Sequence, residues 1–402
     1  MIVGSLREHP VVALAWGLGL ALSLFYFLVD FRTAWQLGSL TVGDGTLIGR
    51  DFVNVYSAGR LVLEGRFALP YDVGAYSAFQ LALFDGAVLQ HNYSYSPVSF
   101  LYVWFFGLFP YPLACALWVA LTGGAFLLAA RPYLAQAGLP AWAALLIPAA
   151  AINVWAGHYG FLTGALWLGA WRLVDERPRT AGLLVGLMIV KPHLAILMPL
   201  LLARRGAWTA FASAALTVAA AVLVSALLFG IEPWTRFIGE TLGYQAAMVD
   251  DTGRFFVKMM PTLAPSLFLA GVPAPLGWAV QIAVAAAAAA ALWRLMPGDP
   301  LRAGLAGGCA TFLVLPYAFV YDMAVVGIAA LLVLHRCQWV RERPAYLAVA
   351  AIAFLLPVLT MFFNASGLPV APLFVAGLLA ILLSPAGSAV VAPAPAGRLQ
   401  PA

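Results

Sequence analysis

The stretch "VVALAWGLGLALSLFYFLV", Val11 to Val29, carries no charge over a length close to the ~20 residues that an α-helix needs to cross a bilayer. In hydrocarbon every backbone N–H and C=O must find its partner inside the protein, so only helices and closed barrels span. Comparable apolar runs recur along the chain, and charged residues make up only 9% of its 402. A soluble domain of this size needs far more charge to cover its surface. The chain therefore reads as an all-α polytopic membrane protein. The first run is longer than a signal-peptide core and lacks a small-x-small cleavage site, which predicts an uncleaved first span. An Ala/Pro-rich tail, 385–402, is expected to be disordered, leaving residues 1–384 as one integral-membrane domain.

In such a chain a net charge of +5 is an orientation signal and does not point to nucleic acid. Arginines cluster at Arg172, Arg177 and Arg179, at Arg204 and Arg205, at Arg294 and Arg302, and at Arg336, Arg341 and Arg343. Placing all of these in the cytoplasm puts residues 30–97 and 230–260 on the outer face. The first outer loop holds six of the sixteen acidic residues: Asp30, Asp44, Asp51, Glu64, Asp72 and Asp85. Cys115, Cys309 and Cys337 have neither disulfide-framework nor CxxC spacing and read as packing residues. No HExxH or paired-histidine spacing occurs, so no metal and no cofactor is expected.

Three segments between arginine groups are long enough only for hairpins of two short helices, and each is interrupted by polar residues. Ala141 to Trp171 breaks at "NVWAGHYG", Thr180 to Ala203 at "KPH", and Leu301 to His335 at "PYAFVYD". Broken helices at membrane depth require that the freed backbone be buried in protein or line a wet cavity. Three such tips predict one shared cavity open to the outside; ordinary Pro and Gly kinks are the alternative. With Ser96 to Arg131 as a re-entrant or kinked crossing, the total comes to roughly eleven to thirteen transmembrane or broken helices.

The ionisable residues point the same way. Lys191, one of two lysines, is flanked by apolar sequence on both sides. A buried ammonium must be paired or serve an anionic ligand. A lysine at a helix break suits a phosphate, and a structural pair with Asp322 is the alternative. His193 and His158 lie on separate tips, and His91 ends the outer loop. Asp51, before "FVNVYSAGRLVLEG", fits a helix N-cap. It also fits a base at the rim of a phosphate-binding cavity. Phe52, Val55, Tyr56, Leu61 and Leu63, with a second run from Tyr71 to Phe84, are expected to form amphipathic helices lying on the outer bilayer surface.

In order, "RDFVNVYSAGRLVLEG", "YSYSPVSFLYVWFFGLFPYPLACALW", "AGHYGFLTGAL", "IVKPHLAILMPLLLARR" and "PYAFVYDMAV" resemble the segments of the family-87 glycosyltransferases. These are GT-C-superfamily enzymes that include polyprenyl-phosphate-mannose-dependent α-mannosyltransferases. His158-Tyr159 stands where Gln-Asn is usual, His193 replaces Gln, and Ser96 replaces a Pro. The resemblance implies a GT-C-type fold in the bacterial inner membrane, with a periplasmic active site. It further implies an inverting transfer of mannose from a polyprenyl-phosphate donor to a hydroxyl of a lipid or glycan acceptor. Asp51 would be the base. Lys191, His193, His158 and Arg50 would steady the leaving phosphate, and His91, Tyr93, Tyr95, Tyr159 and Asp322 would contact substrate, with Trp155 a further candidate for stacking on a sugar ring. A transporter or flippase of a lipid-linked saccharide is the alternative, since it too needs broken helices and a buried cation; no clear duplication between the two halves supports it.

Overall fold

A computed structural model describes residues 9–42, 46–86, 91–247, 249, 253 and 255–390. The chain opens with α1 (Pro10–Leu37) and enters a long loop, which holds α2 (Phe52–Leu63) and α3 (Val73–Leu83). A short α4 (Phe100–Gly107) leads into α5 (Tyr111–Gln136). Two broken pairs follow, α6 (Pro148–Ala156) with α7 (Gly160–Leu173) and α8 (Pro178–Leu187) with α9 (Met198–Arg205). After α10 (Trp208–Phe229) come short helical pieces and then α11 (Ala274–Leu295). A third broken pair, α12 (Pro300–Val314) and α13 (Ala324–Arg336), precedes α14 (Pro344–Ala365) and α15 (Ala371–Leu383). Among the described residues no strand occurs beyond one isolated bridge, Thr41 to Leu47. Five helices, α1, α5, α10, α11 and α14, are long and apolar enough to cross a membrane.

Helix composition decides which faces meet lipid. In α10 only Ala210 and Ser225 are buried, while Leu216, Leu223 and Leu227 point outward at 59–76% exposure. A surface of that kind belongs in hydrocarbon. What holds α10 is close packing on α8: a Cβ on Gly182 would sit 2.2 Å from the Ala210 carbonyl oxygen, and one on Gly186 would sit 2.4 Å from the Thr217 side chain. Small residues replace the hydrophobic driving force that lipid removes. At the other extreme, every residue of α13 from Ala324 to His335 is buried. A helix apolar all round belongs at the centre, and α13 lies there, packed against α7, α12 and α14.

The arginine-bearing turns gather at the end of the molecule away from the hairpin tips. Arg205 pairs with Asp175 and donates to the Gly298 carbonyl at 2.9 Å, while Arg302 donates to the Leu382 carbonyl at 2.6 Å. Two local expectations change. Nine of the twelve residues of α2 are buried, including Phe52, Val55, Tyr56 and Leu61. Its apolar side packs on α4 and on an aromatic cluster of α5, because protein, not lipid, covers it. In helix α3, by contrast, only Tyr76 and Gln80 are buried. Pro385–Val390, placed by sequence in the tail, forms a short 3-10 helix with Val390 buried. Asp44 and the tail from 391 onward lie outside the described residues.

Candidate active site

The three hairpin tips meet. A cavity of about 190 Å³ is lined by His158 from the first, Lys191 and His193 from the second, and Tyr317, Phe319 and Tyr321 from the third. Asp51, Asn54, His91 and Tyr95, from the segment between α1 and α4, close another side, and Tyr244, Gln245 and Phe256, from the segment between α10 and α11, complete it. Each tip breaks for a local reason. Pro192 keeps Lys191 out of the helical region, at φ −132°, ψ 73°, between two 3-10 turns. Pro316 likewise holds Leu315 extended at the end of α12. Gly157 takes φ +58°, a left-handed conformation that ends α6.

Gly160 locks the first and third tips together. A Cβ there would fall 1.8 Å from the Tyr321 carbonyl oxygen, so only glycine permits that approach. The same carbonyl accepts from Asn153 Nδ2 at 2.7 Å. The Tyr321 ring stacks on His158 with centroids 3.6 Å apart, and His158 Nε2 is 2.9 Å from the Tyr95 hydroxyl. Lys191 Nζ donates to Asp322 Oδ1 at 2.6 Å, and its ammonium also lies 5.4 Å from the centre of the Tyr321 ring. The Asp322 side chain is 0% exposed and accepts from the Phe319 N–H as well. Asp322 thus sits behind Lys191, which reaches the cavity while its partner does not.

Asp51 occupies the N-cap position of α2 but makes no side-chain cap bond. Its carboxylate faces the cavity, and Oδ1 is 4.0 Å from His91 Nε2. Burial pushes the Asp51 carboxyl above its ordinary range, opposed by His91, Arg50 and Lys191 in that order. A carboxylate only 19% exposed, and so partly withdrawn from water, is a better proton acceptor than a free one. His91 is held from behind: its backbone N–H donates to Gln80 Oε1 at 3.2 Å, and Gln80 is bonded to Asn54.

The other sequence-predicted residues fall elsewhere. Arg50 turns to Asp30 of α1, in a two-pronged pair at 2.8 and 3.0 Å, with Trp155 stacked on its guanidinium at 4.1 Å. Tyr93 and Tyr159 form a packing layer behind Tyr95: the Tyr93 hydroxyl bonds Ser99 at 2.6 Å, and the Tyr159 ring lies 4.0 Å from that of Tyr95. Asn54, Gln245, Tyr317, Phe319 and Tyr321 line the cavity without having been singled out from the sequence. Asn54 had a signal, since it follows Asp51 by one helical turn and shares its face. The three aromatics lie in the third tip motif itself. Gln245 had none, because its place depends on the Tyr317 hydroxyl, which donates to it at 2.6 Å, and on the Ser94 carbonyl.

No curated protein and no solved structure matches the chain. The family model described as glycosyltransferase family 87 matches residues 93–316, more than half of the chain. The match takes in Tyr95, His158, Lys191 and His193 and stops at the start of the third tip, with Asp51 upstream of it. An all-helical membrane chain whose broken hairpins converge on one polar cavity, matched by this family over most of that cavity, belongs to glycosyltransferase family 87.

Proposed function

We propose that the chain is an inverting glycosyltransferase that takes a sugar, mannose as the first candidate, from a polyprenyl-phosphate donor to a hydroxyl on a lipid or glycan acceptor. The site would face the periplasm of a bacterial inner membrane, with the arginine-rich turns in the cytoplasm. The observation that carries this reading is the pairing of two groups on one cavity: a carboxylate at a cap position that caps nothing, and a buried ammonium at a helix break.

Asp51 takes the proton of the acceptor hydroxyl as that oxygen attacks the anomeric carbon from the face opposite the phosphate. The bond between the anomeric carbon and the phosphate oxygen breaks, and polyprenyl phosphate leaves with the electron pair. Lys191 neutralises the charge that grows on the leaving group, and its 2.6 Å bond to Asp322 holds that ammonium in place. His158 and His193 supply further polar atoms around the phosphate, and Tyr95, Asn54 and Tyr321 offer hydroxyl, amide and ring surfaces to the sugars. His91 Nε2 lies 4.0 Å from Asp51 Oδ1, on the cavity side of the carboxylate.

The test is transfer from radiolabelled polyprenyl-phosphate-mannose in membranes, with wild type and Asp51→Asn at matched expression. Transfer by wild type that falls at least a hundredfold in the variant fits a general base. Equal transfer by both removes Asp51 from the chemistry.

A further inference from the structure

Asp51 sits on a turn that contacts from three helices, α1, α5 and α6 with its terminal glycine, hold in place. Immediately before it, Arg50 has φ +38°, a left-handed conformation that residues with a side chain rarely adopt and that surrounding structure must enforce. Both Nε and Nη2 of Arg50 reach the Asp30 carboxylate near the end of α1, where the two side chains are each 14% exposed. The face of the guanidinium lies on Trp155, in the last turn of α6. From the other side Gly157 presses on the turn, close enough that a Cβ would meet the Gly49 carbonyl oxygen and the Phe52 side chain at 2.6 Å each. The Ile48 carbonyl accepts from the Tyr111 hydroxyl of α5 at 2.8 Å.

We infer that Arg50 is a positioning residue: clamped by Asp30 and Trp155, it fixes the strained turn that aims the Asp51 carboxylate into the cavity. The inference rests on Asp51 being the base. Its physical content lies in the fork. A guanidinium bound at two points and stacked on an indole has one orientation, and a lysine ammonium cannot reproduce it. Arg50 thereby passes the position of α1 to the reacting centre without touching substrate. The charged or titratable groups around Asp51 are Arg50 with Asp30 behind it, His91 from the outer loop, Lys191 and Asp322 from two tips, and the hydroxyls of Tyr95, Tyr111 and Tyr321.

Full-length protein in membranes, assayed with radiolabelled polyprenyl-phosphate-mannose across pH, tests this. Arg50→Lys keeps the charge and loses the fork; kcat is expected to fall tenfold or more while the donor KM stays within twofold. Asp30→Asn, which releases Arg50, is expected to lower kcat in the same way. Arg50→Met also removes a cation beside Asp51, so the acid limb of its kcat profile moves to higher pH, a change that loosened packing alone does not produce. The clamp is overturned if Arg50→Lys raises the donor KM tenfold at unchanged kcat, which makes Arg50 a phosphate ligand. It is overturned equally if all three variants transfer like wild type. Asp51→Asn measured alongside separates the two levels: full activity there defeats the base itself, whereas a dead Asp51→Asn beside a fully active Arg50→Lys defeats only the clamp.

Discussion

Replacing Asp322 by Asn tests what the Lys191 pair is for. The two charged atoms are 2.6 Å apart, and the side chains are 6% and 0% exposed. At an effective dielectric constant of about 20, their attraction is about 6 kcal/mol, before the cost of taking both ions out of water is set against it. Removing one partner leaves the other buried and uncompensated, which costs about 3–5 kcal/mol, whereas replacing both by apolar groups of similar volume is often neutral. Asp322→Asn should therefore unfold well below wild type in thermal melts of detergent-solubilised protein, and Lys191→Met should do the same. The double variant Lys191→Met/Asp322→Leu should recover most of the lost stability. Its sugar transfer should stay absent, because nothing then neutralises the leaving phosphate. A double variant that is stable and also transfers would refute the phosphate role of Lys191 and leave the pair purely structural. An Asp322→Asn protein as stable as wild type would refute the reasoning about the buried charge.

Three further outcomes follow from the geometry. Since burial raises the Asp51 carboxyl and the base must be ionised, transfer should be full at higher pH and fall as pH drops through a value above the ordinary carboxylate range; a flat profile down to pH 4 would count against this. Gly160→Ala forces a methyl group against the Tyr321 carbonyl and should cost about 1–3 kcal/mol in thermal stability, with transfer falling as the first and third tips separate. Tyr95→Phe removes the hydroxyl 2.9 Å from His158 Nε2 and should lower transfer severalfold with little change in stability, read by the same assay and melts.

Much of this molecule can be read from its residues. Pro192, Pro316 and Gly157 mark the tips because each fixes a backbone conformation that ends a helix, and the arginine groups say which ends of the hairpins lie together. Convergence of the tips also follows, since polar breaks at membrane depth have nowhere else to go. What the residues do not carry is the direction in which a side chain faces. Phe52, Val55, Tyr56 and Leu61 form an apolar stripe that fits lipid and protein equally well, and only the presence of α4 and α5 decides for protein. Arg50 and Lys191 are both cations near the site, yet one meets Asp30 and the other reaches the cavity. Asp51 fits both a cap and a base in sequence, and the missing cap bond is visible only once its side chain is placed. Gln245 contributes through contacts made across 72 and 151 positions of sequence, which no local pattern records.

The buried helix α13 constrains how the chain enters the membrane. With 13 residues it is about 20 Å long, and its partner α12, with 15, is about 22 Å, both short of the ~30 Å hydrocarbon core. Neither can settle across a bilayer alone during synthesis, so the two must leave the insertion machinery together, as a loop held by its own tip. The cavity is therefore complete only once the three broken hairpins have docked against the long spans, including α14, which follows them all in the chain.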